Sequence, residues 1–139
     1  MSPRRRTATV LLLDSELGFL FAISHELAQR EISAFPARSV VEARGLIAQF
    51  DLKLDLLVVN CARPGACDFA AELSRQNAAL KVIGIVTAGH TCQKCVERIS
   101  AHFRDPDDRD PKRIGHCADV IEMLVRGRRS RAQRAGNKD

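Results

Sequence analysis

The stretch Asp55-Leu56-Leu57-Val58-Val59-Asn60, closed by the turn residues Ala62-Arg63-Pro64-Gly65, decides how the rest of this chain is read. It is a short, nearly continuous run of aliphatic and β-branched residues that stops at a polar side chain and a turn. Such a run predicts a strand buried on both faces, as in a parallel sheet flanked by helices. In open α/β sheets the chemistry lies just outside the carboxyl ends of the strands. Asn60 therefore stands where a reactive group is expected, yet an amide cannot act as a carboxylate.

Working outward, Lys81-Val82-Ile83-Gly84-Ile85-Val86 predicts a second strand of the same kind, ending at Thr87-Ala88-Gly89. Thr7 to Leu13 predicts a third, ending at Asp14. Asp14 or Ser15 can cap a helix to about Arg30, with Glu16 in its first turn, where the helix dipole favours an acid. Phe19, Ile23 and Leu27 form its inward stripe. Leu17, Leu20 and Phe21 broaden that surface, either as a wide core face or as a partner-binding one.

Ile32 to Ala37 predicts a weak strand that Pro36 confines to an edge or to a strand end. Val40 to Phe50 predicts a helix with Val40, Val41, Ala43, Leu46, Ile47 and Phe50 as its apolar set. A third helix is expected from about Ala66 to Gln76, and a fourth over Thr91 to Ile99. Ala101 to Arg104 is expected as a short last strand, followed by a charged loop. Asp110 caps and Pro111 opens the final helix, whose stripe is Ile114, Ala118, Ile121, Leu124 and Val125.

The order is β-α five times, which implies a doubly wound, five-stranded parallel sheet in three layers, flavodoxin-like. The chain of 139 residues suits one domain. A basic extension covers residues 1–6, the folded domain 7–126 and a disordered basic tail 127–139. The formal charge of +5 lies at the two ends, because residues 7–125 carry 13 basic and 16 acidic side chains, a net −3. A domain that binds nucleic acid through its folded surface more often carries the positive charge itself. No apolar run approaches the roughly 20 residues that span a bilayer. The basic start is followed too soon by Asp14-Ser15-Glu16 for an export signal. A cytoplasmic chain with reduced cysteines is expected.

With these elements in order, the sequence resembles the receiver domain of bacterial response regulators over roughly residues 8–126. The resemblance is carried by Val10-Leu11-Leu12-Leu13-Asp14-Ser15-Glu16, by Asp55 to Asn60 with Pro64 four residues later, by Ala43, by Val82 to Ala88, and by Arg104-Asp105-Pro106. It implies a five-position pocket for Mg²⁺ and a phosphoryl group. Of the two metal-holding acids it retains Asp14, with Ser15 in place of the other. The phospho-accepting aspartate is replaced by Asn60. Thr87 matches the hydroxyl that bonds the phosphoryl group. The conserved lysine of the family corresponds to Asp105, or its cationic role falls to Arg104.

These departures predict a degenerate, stand-alone pseudo-receiver: not an enzyme, without cofactor or metal, and not phosphorylated on aspartate. Its expected partner is a histidine kinase, a phosphotransfer protein or another regulator. The resemblance places such contacts around the first helix or on the last two strands and helices. No membrane contact is expected, and the oligomeric state is left open.

Two further features lie outside the pocket. Cys92 and Cys95 form a Cys-x-x-Cys with His90 before it and His102, His116 and Cys117 after it. A tetrahedral metal site needs four converging ligands, and no second pair arrives at a zinc spacing. Packing, a thiol switch and, least of all, a metal site are the three readings of these residues. The tail carries Arg126, Arg128, Arg129, Arg131 and Arg134 without interleaved aromatic residues. It reads as a solubilising segment or as a weak contact to nucleic acid phosphates.

Overall fold

The computed structural model describes residues 7–86, 99–104 and 111–137. Its elements are β1 (Thr9–Leu13), α1 (Leu17–Gln29), β2 (Ser33–Ala37), α2 (Val40–Phe50), β3 (Leu56–Asn60), α3 (Ala66–Gln76), β4 (Lys81–Val86), β5 (Ile99–Arg104) and α4 (Pro111–Asn137). The strands pair in parallel in the order β2-β1-β3-β4-β5. The expected helix over Thr91–Ile99 falls on residues outside the described ones, except that Ile99 opens β5 rather than closing a helix.

All five residues of β3 are buried. It lies between β1 and β4, so its apolar residues are covered on both faces. The pleat then sorts side chains alternately into two cores. Val10, Leu12, Leu56, Val58, Ile83 and Ile85 pack with Phe19, Ile23 and Leu27 of α1 and Ile114, Ala118 and Ile121 of α4. Leu11, Leu13, Leu57, Val59 and Val82 pack instead with Ala43 of α2 and with Ala66, Phe69 and Ala70 of α3. The result is the three-layer α/β arrangement that the pattern predicts.

Pro36 sits on the outermost strand β2, where a missing N–H costs no ladder bond. Of the broad α1 surface, Leu20 is in the core, whereas Leu17 and Phe21 are 41% and 63% exposed. On α2 only Ala43 is fully buried. Val41 faces away from the sheet, and Phe50 is exposed at the far end with its ring tilted on Phe35, the centroids 5.8 Å apart. The apolar set expected on this helix is thus too wide, because an edge-covering helix meets the sheet along one narrow line.

Helix capping at α1 also differs from expectation. Glu16, not Asp14 or Ser15, is the cap, and its Oε1 accepts from the Gly18 N–H at 3.1 Å. Asp14 is drawn inward by other partners. At the other end of the chain, α4 was expected to stop near Arg126 and give way to a disordered tail. It continues to Asn137. Arg, Ala and Gln are strong helix formers, and lengthening an existing helix needs no new nucleus.

Arg30, at the end of α1, joins α4 to the domain. Its guanidinium pairs with Asp119 at 2.5 Å and Glu122 at 3.1 Å on α4, and with Glu26 on its own helix. Arg126 pairs with Glu122 at 2.6 Å and donates to the Arg30 carbonyl at 3.0 Å. The α4 helix is therefore held to α1 as far as Arg126.

Candidate functional site

Parallel pairing brings the carboxyl ends of β1, β3, β4 and β5 together along one edge. Leu13 lies beside Val59, Asn60 beside Ile85, and Val86 beside Arg104. Asp14, the residue after β1, is 1% exposed, and Asn60, the last residue of β3, is 5% exposed. They are the two buried polar side chains among the described residues, and they bond each other. The Asn60 amide donates from Nδ2 to Asp14 Oδ1 at 3.0 Å.

The other end of the same amide is also engaged. Asn60 Oδ1 accepts from the Ala62 N–H at 2.9 Å, and the Arg63 N–H donates to the Asn60 carbonyl at 2.9 Å. This side-chain turn is a habit of Asn and Asp. Gly65, at φ 75°, completes the reversal into α3 in a conformation that disfavours any side chain. Arg63 is thereby carried back over the pocket, where its Nη1 donates to Ser15 Oγ at 2.6 Å.

Asp14 Oδ1 accepts from the Ser15 N–H at 2.7 Å as well, while Oδ2 is buried without a hydrogen-bond partner among the described residues. Burial pushes the Asp14 carboxyl above its usual range. The Asn60 amide, the Ser15 and Glu16 N–H groups and the charge of Arg63 act in the opposite direction.

Among the residues expected to form the pocket, the structure brings together Asp14, Ser15 and Asn60. Arg104 is the last residue of β5, so its backbone lies at the same edge. Thr87 and Asp105 lie outside the described residues. In the sequence Arg63 reads only as part of a turn. Its signal was its place three residues after a strand-end Asn, in a turn that Pro64 and Gly65 close.

This set offers one carboxylate, one hydroxyl, one neutral amide and one guanidinium. It contains no nucleophilic carboxylate at the end of β3. The described donors do not fit Mg²⁺, which prefers carboxylates and water in octahedral array, because they include a single carboxylate and a guanidinium already bonds Ser15.

Among the described residues no group of three or more His, Cys, Asp or Glu side chains converges on a metal position. Cys92 and Cys95 lie outside the described residues. Cys117 is buried in the core beside α1, and burial pushes its thiol up to about 11, with Arg113 acting against that shift. The neighbouring His116 is exposed, so the two side chains leave α4 in different directions. Cys61 and Cys117 are not disulfide-bonded, but Cys67 takes part in a disulfide, where the sequence predicts reduced cysteines. Spacing along the chain does not report which thiols meet in space. Among the described residues no helix is long and apolar enough to cross a membrane.

No protein-family model matches the chain, and no curated protein matches it. Solved structures do. The chain is similar to the signal receiver domain of an HD domain-containing protein from Pseudomonas fluorescens Pf-5, at TM-score 0.71 and 18% identity, over 96% of this chain and 98% of that one. It is similar to a structure of histidine kinase ThkA in complex with response regulator protein TrrA, the latter from Thermotoga maritima, at TM-score 0.63 and 17% identity, over 85% and 98%. An orphan response regulator of H. pylori gives TM-score 0.64 and 18% identity, over 88% and 100%. The fold is that of response regulator receiver domains.

Proposed function

We propose that this chain is a signalling module of the receiver type that acts through protein contacts and is not phosphorylated in its pocket. The observation that carries this reading is the bond from Asn60 to Asp14 at the carboxyl edge of the sheet. The side chain in the phospho-acceptor position is a neutral amide, already committed at both ends to the protein itself. It is a poor nucleophile, and no metal-supported acyl phosphate can form on it. Arg104, the last residue of β5, is then the better candidate for the cationic position.

A kinase or another regulator is the expected partner class. Support comes from the similarity to a receiver solved with a histidine kinase, and from the exposed Leu17 and Phe21 on the first two turns of α1. Incubation with acetyl phosphate and Mg²⁺ should leave the intact mass of the protein unchanged. Gain of one acid-stable, base-labile phosphoryl group on the wild-type chain would overturn this reading.

A second reading is favoured by the continuation of α4 to Asn137. At about 1.5 Å per residue the helix is roughly 40 Å long, and positions 126–134 on it include five arginines. A helix of this composition suits contact with nucleic acid phosphates. Retention on DNA should then fall steeply from low to physiological salt and be lost on truncation after Arg126. Retention that ignores salt would point to another surface.

A further inference from the structure

We propose that Arg63 is the built-in cation of this pocket: it takes the place that a divalent metal holds in a receiver-type site, and it closes the site to such a metal. The inference rests on the non-phosphorylated reading of the pocket and adds an active cause to it. Loss of acidic ligands alone leaves a weak site. A fixed positive side chain makes it a repelling one.

Three observations converge on Arg63. Its guanidinium bonds Ser15 Oγ at 2.6 Å, at the position where a second acid would serve a metal. Its charge acts on the Asp14 carboxylate, which is 1% exposed and has one oxygen without a hydrogen-bond partner among the described residues. Its backbone is held on both sides, by the bond from its N–H to the Asn60 carbonyl at 2.9 Å and from the Ala66 N–H to its own carbonyl at 3.1 Å. A long side chain anchored at its root and at its tip stays over the pocket.

Asn60 is the residue that makes this placement work. Its Oδ1 tightens the turn that delivers Arg63, while its Nδ2 gives Asp14 a donor in place of a metal ion. The amide thus bonds one oxygen of the buried carboxylate, and the guanidinium on Ser15 adds a positive charge beside it, both from protein groups. A divalent ion entering here would lose hydration, find a single carboxylate among the described residues, and meet a positive charge that cannot be titrated away.

Restoring the acids should therefore fail unless Arg63 is also removed. Mn²⁺ is the probe, with free Mn²⁺ followed by electron paramagnetic resonance on the full chain. The wild type should show no saturable binding, and the Ser15→Asp/Asn60→Asp variant only weak binding, since an aspartate at 15 would pair with Arg63. The Ser15→Asp/Asn60→Asp/Arg63→Ala variant should bind at least about ten-fold more tightly than the double variant, a difference of about 1.4 kcal/mol. The corresponding triple variant with Arg63→Lys, which keeps the charge, should stay weak.

Saturable binding to the wild type, or equal binding by the double and the Arg63→Ala triple variants, would overturn the proposal. Should the acidic variants not fold, side-chain ¹⁵N spectra of the wild type give an independent answer. A guanidinium signal assigned by its absence in Arg63→Lys should be protected from exchange and lose that protection in Ser15→Ala. An unprotected Arg63 signal in the wild type would equally sink the idea. Phosphoryl labelling by acetyl phosphate tests the parent reading by a separate readout, whatever Mn²⁺ does.

Discussion

Replacing Phe69 with alanine is expected to lower the unfolding free energy by about 3–5 kcal/mol, the range for removing a buried aromatic ring from a packed core. Phe69 is 1% exposed and sits among Leu11, Leu13, Leu57 and Val59, where α3 meets the centre of the sheet. The cavity cannot collapse easily, because its walls are strands paired on both sides. The ring also supports the Arg44 guanidinium, which lies 5.1 Å from its centroid and pairs with both oxygens of Glu72 at 2.8 and 2.9 Å. Phe69→Leu, which keeps most of the volume, should cost much less. Urea unfolding with an unchanged slope checks this. A loss below about 1 kcal/mol for Phe69→Ala would show that the ring is not a core element.

Asn60→Asp should destabilise the chain by about 2–3 kcal/mol at neutral pH, by removing a donor from a buried carboxylate and setting a second carboxylate beside it. Asp14 Oδ1 and the group at position 60 are only 3.0 Å apart. Two carboxyls at that distance share one proton, so one of them is held well above its unfolded value. The folded state then binds more protons than the unfolded one, and stability falls as pH rises through the raised folded value. The wild type has the same sign at smaller amplitude, because burial already raises Asp14. The deficit of the variant should shrink towards about pH 4, near the ordinary carboxylate range. Equal stability loss at acidic and neutral pH would show that the two side chains do not interact. The variant should also remain a poor phosphate acceptor, because Ser15 and Arg63 still oppose a metal.

Much of the architecture was legible in the sequence because buried parallel strands are written as continuous apolar runs. Leu56 to Val59 and Val82 to Ile85 need no knowledge of their neighbours to be recognised, since both faces of each are covered. The helices that pack centrally were legible too, through Phe19, Ile23 and Leu27 or Ile114, Ala118 and Ile121. The edge was less so. Val41 and Phe50 look like core residues in the sequence, and only the narrow contact of α2 with the sheet leaves them exposed. The end of α4 was misplaced because apolar periodicity stops at Val125, whereas helix propensity and an already formed helix carry the backbone on to Asn137.

For the site, sequence alone determined the chemistry that is absent. Asn60 ends a buried strand, Ser15 follows Asp14, and neither can supply a carboxylate in any conformation. What replaces that chemistry was a matter for tertiary structure. Asn60 and Asp14 are separated by 46 residues, and Arg63 and Ser15 by 48. Their bonds exist because β1 and β3 pair in parallel and in one register, so the turns at both strand ends face the same side. Local residue patterns specify which elements form and which groups they carry. The register between distant strands decides which of those groups are within 3 Å of each other, and that distance depends on packing summed over the whole sheet.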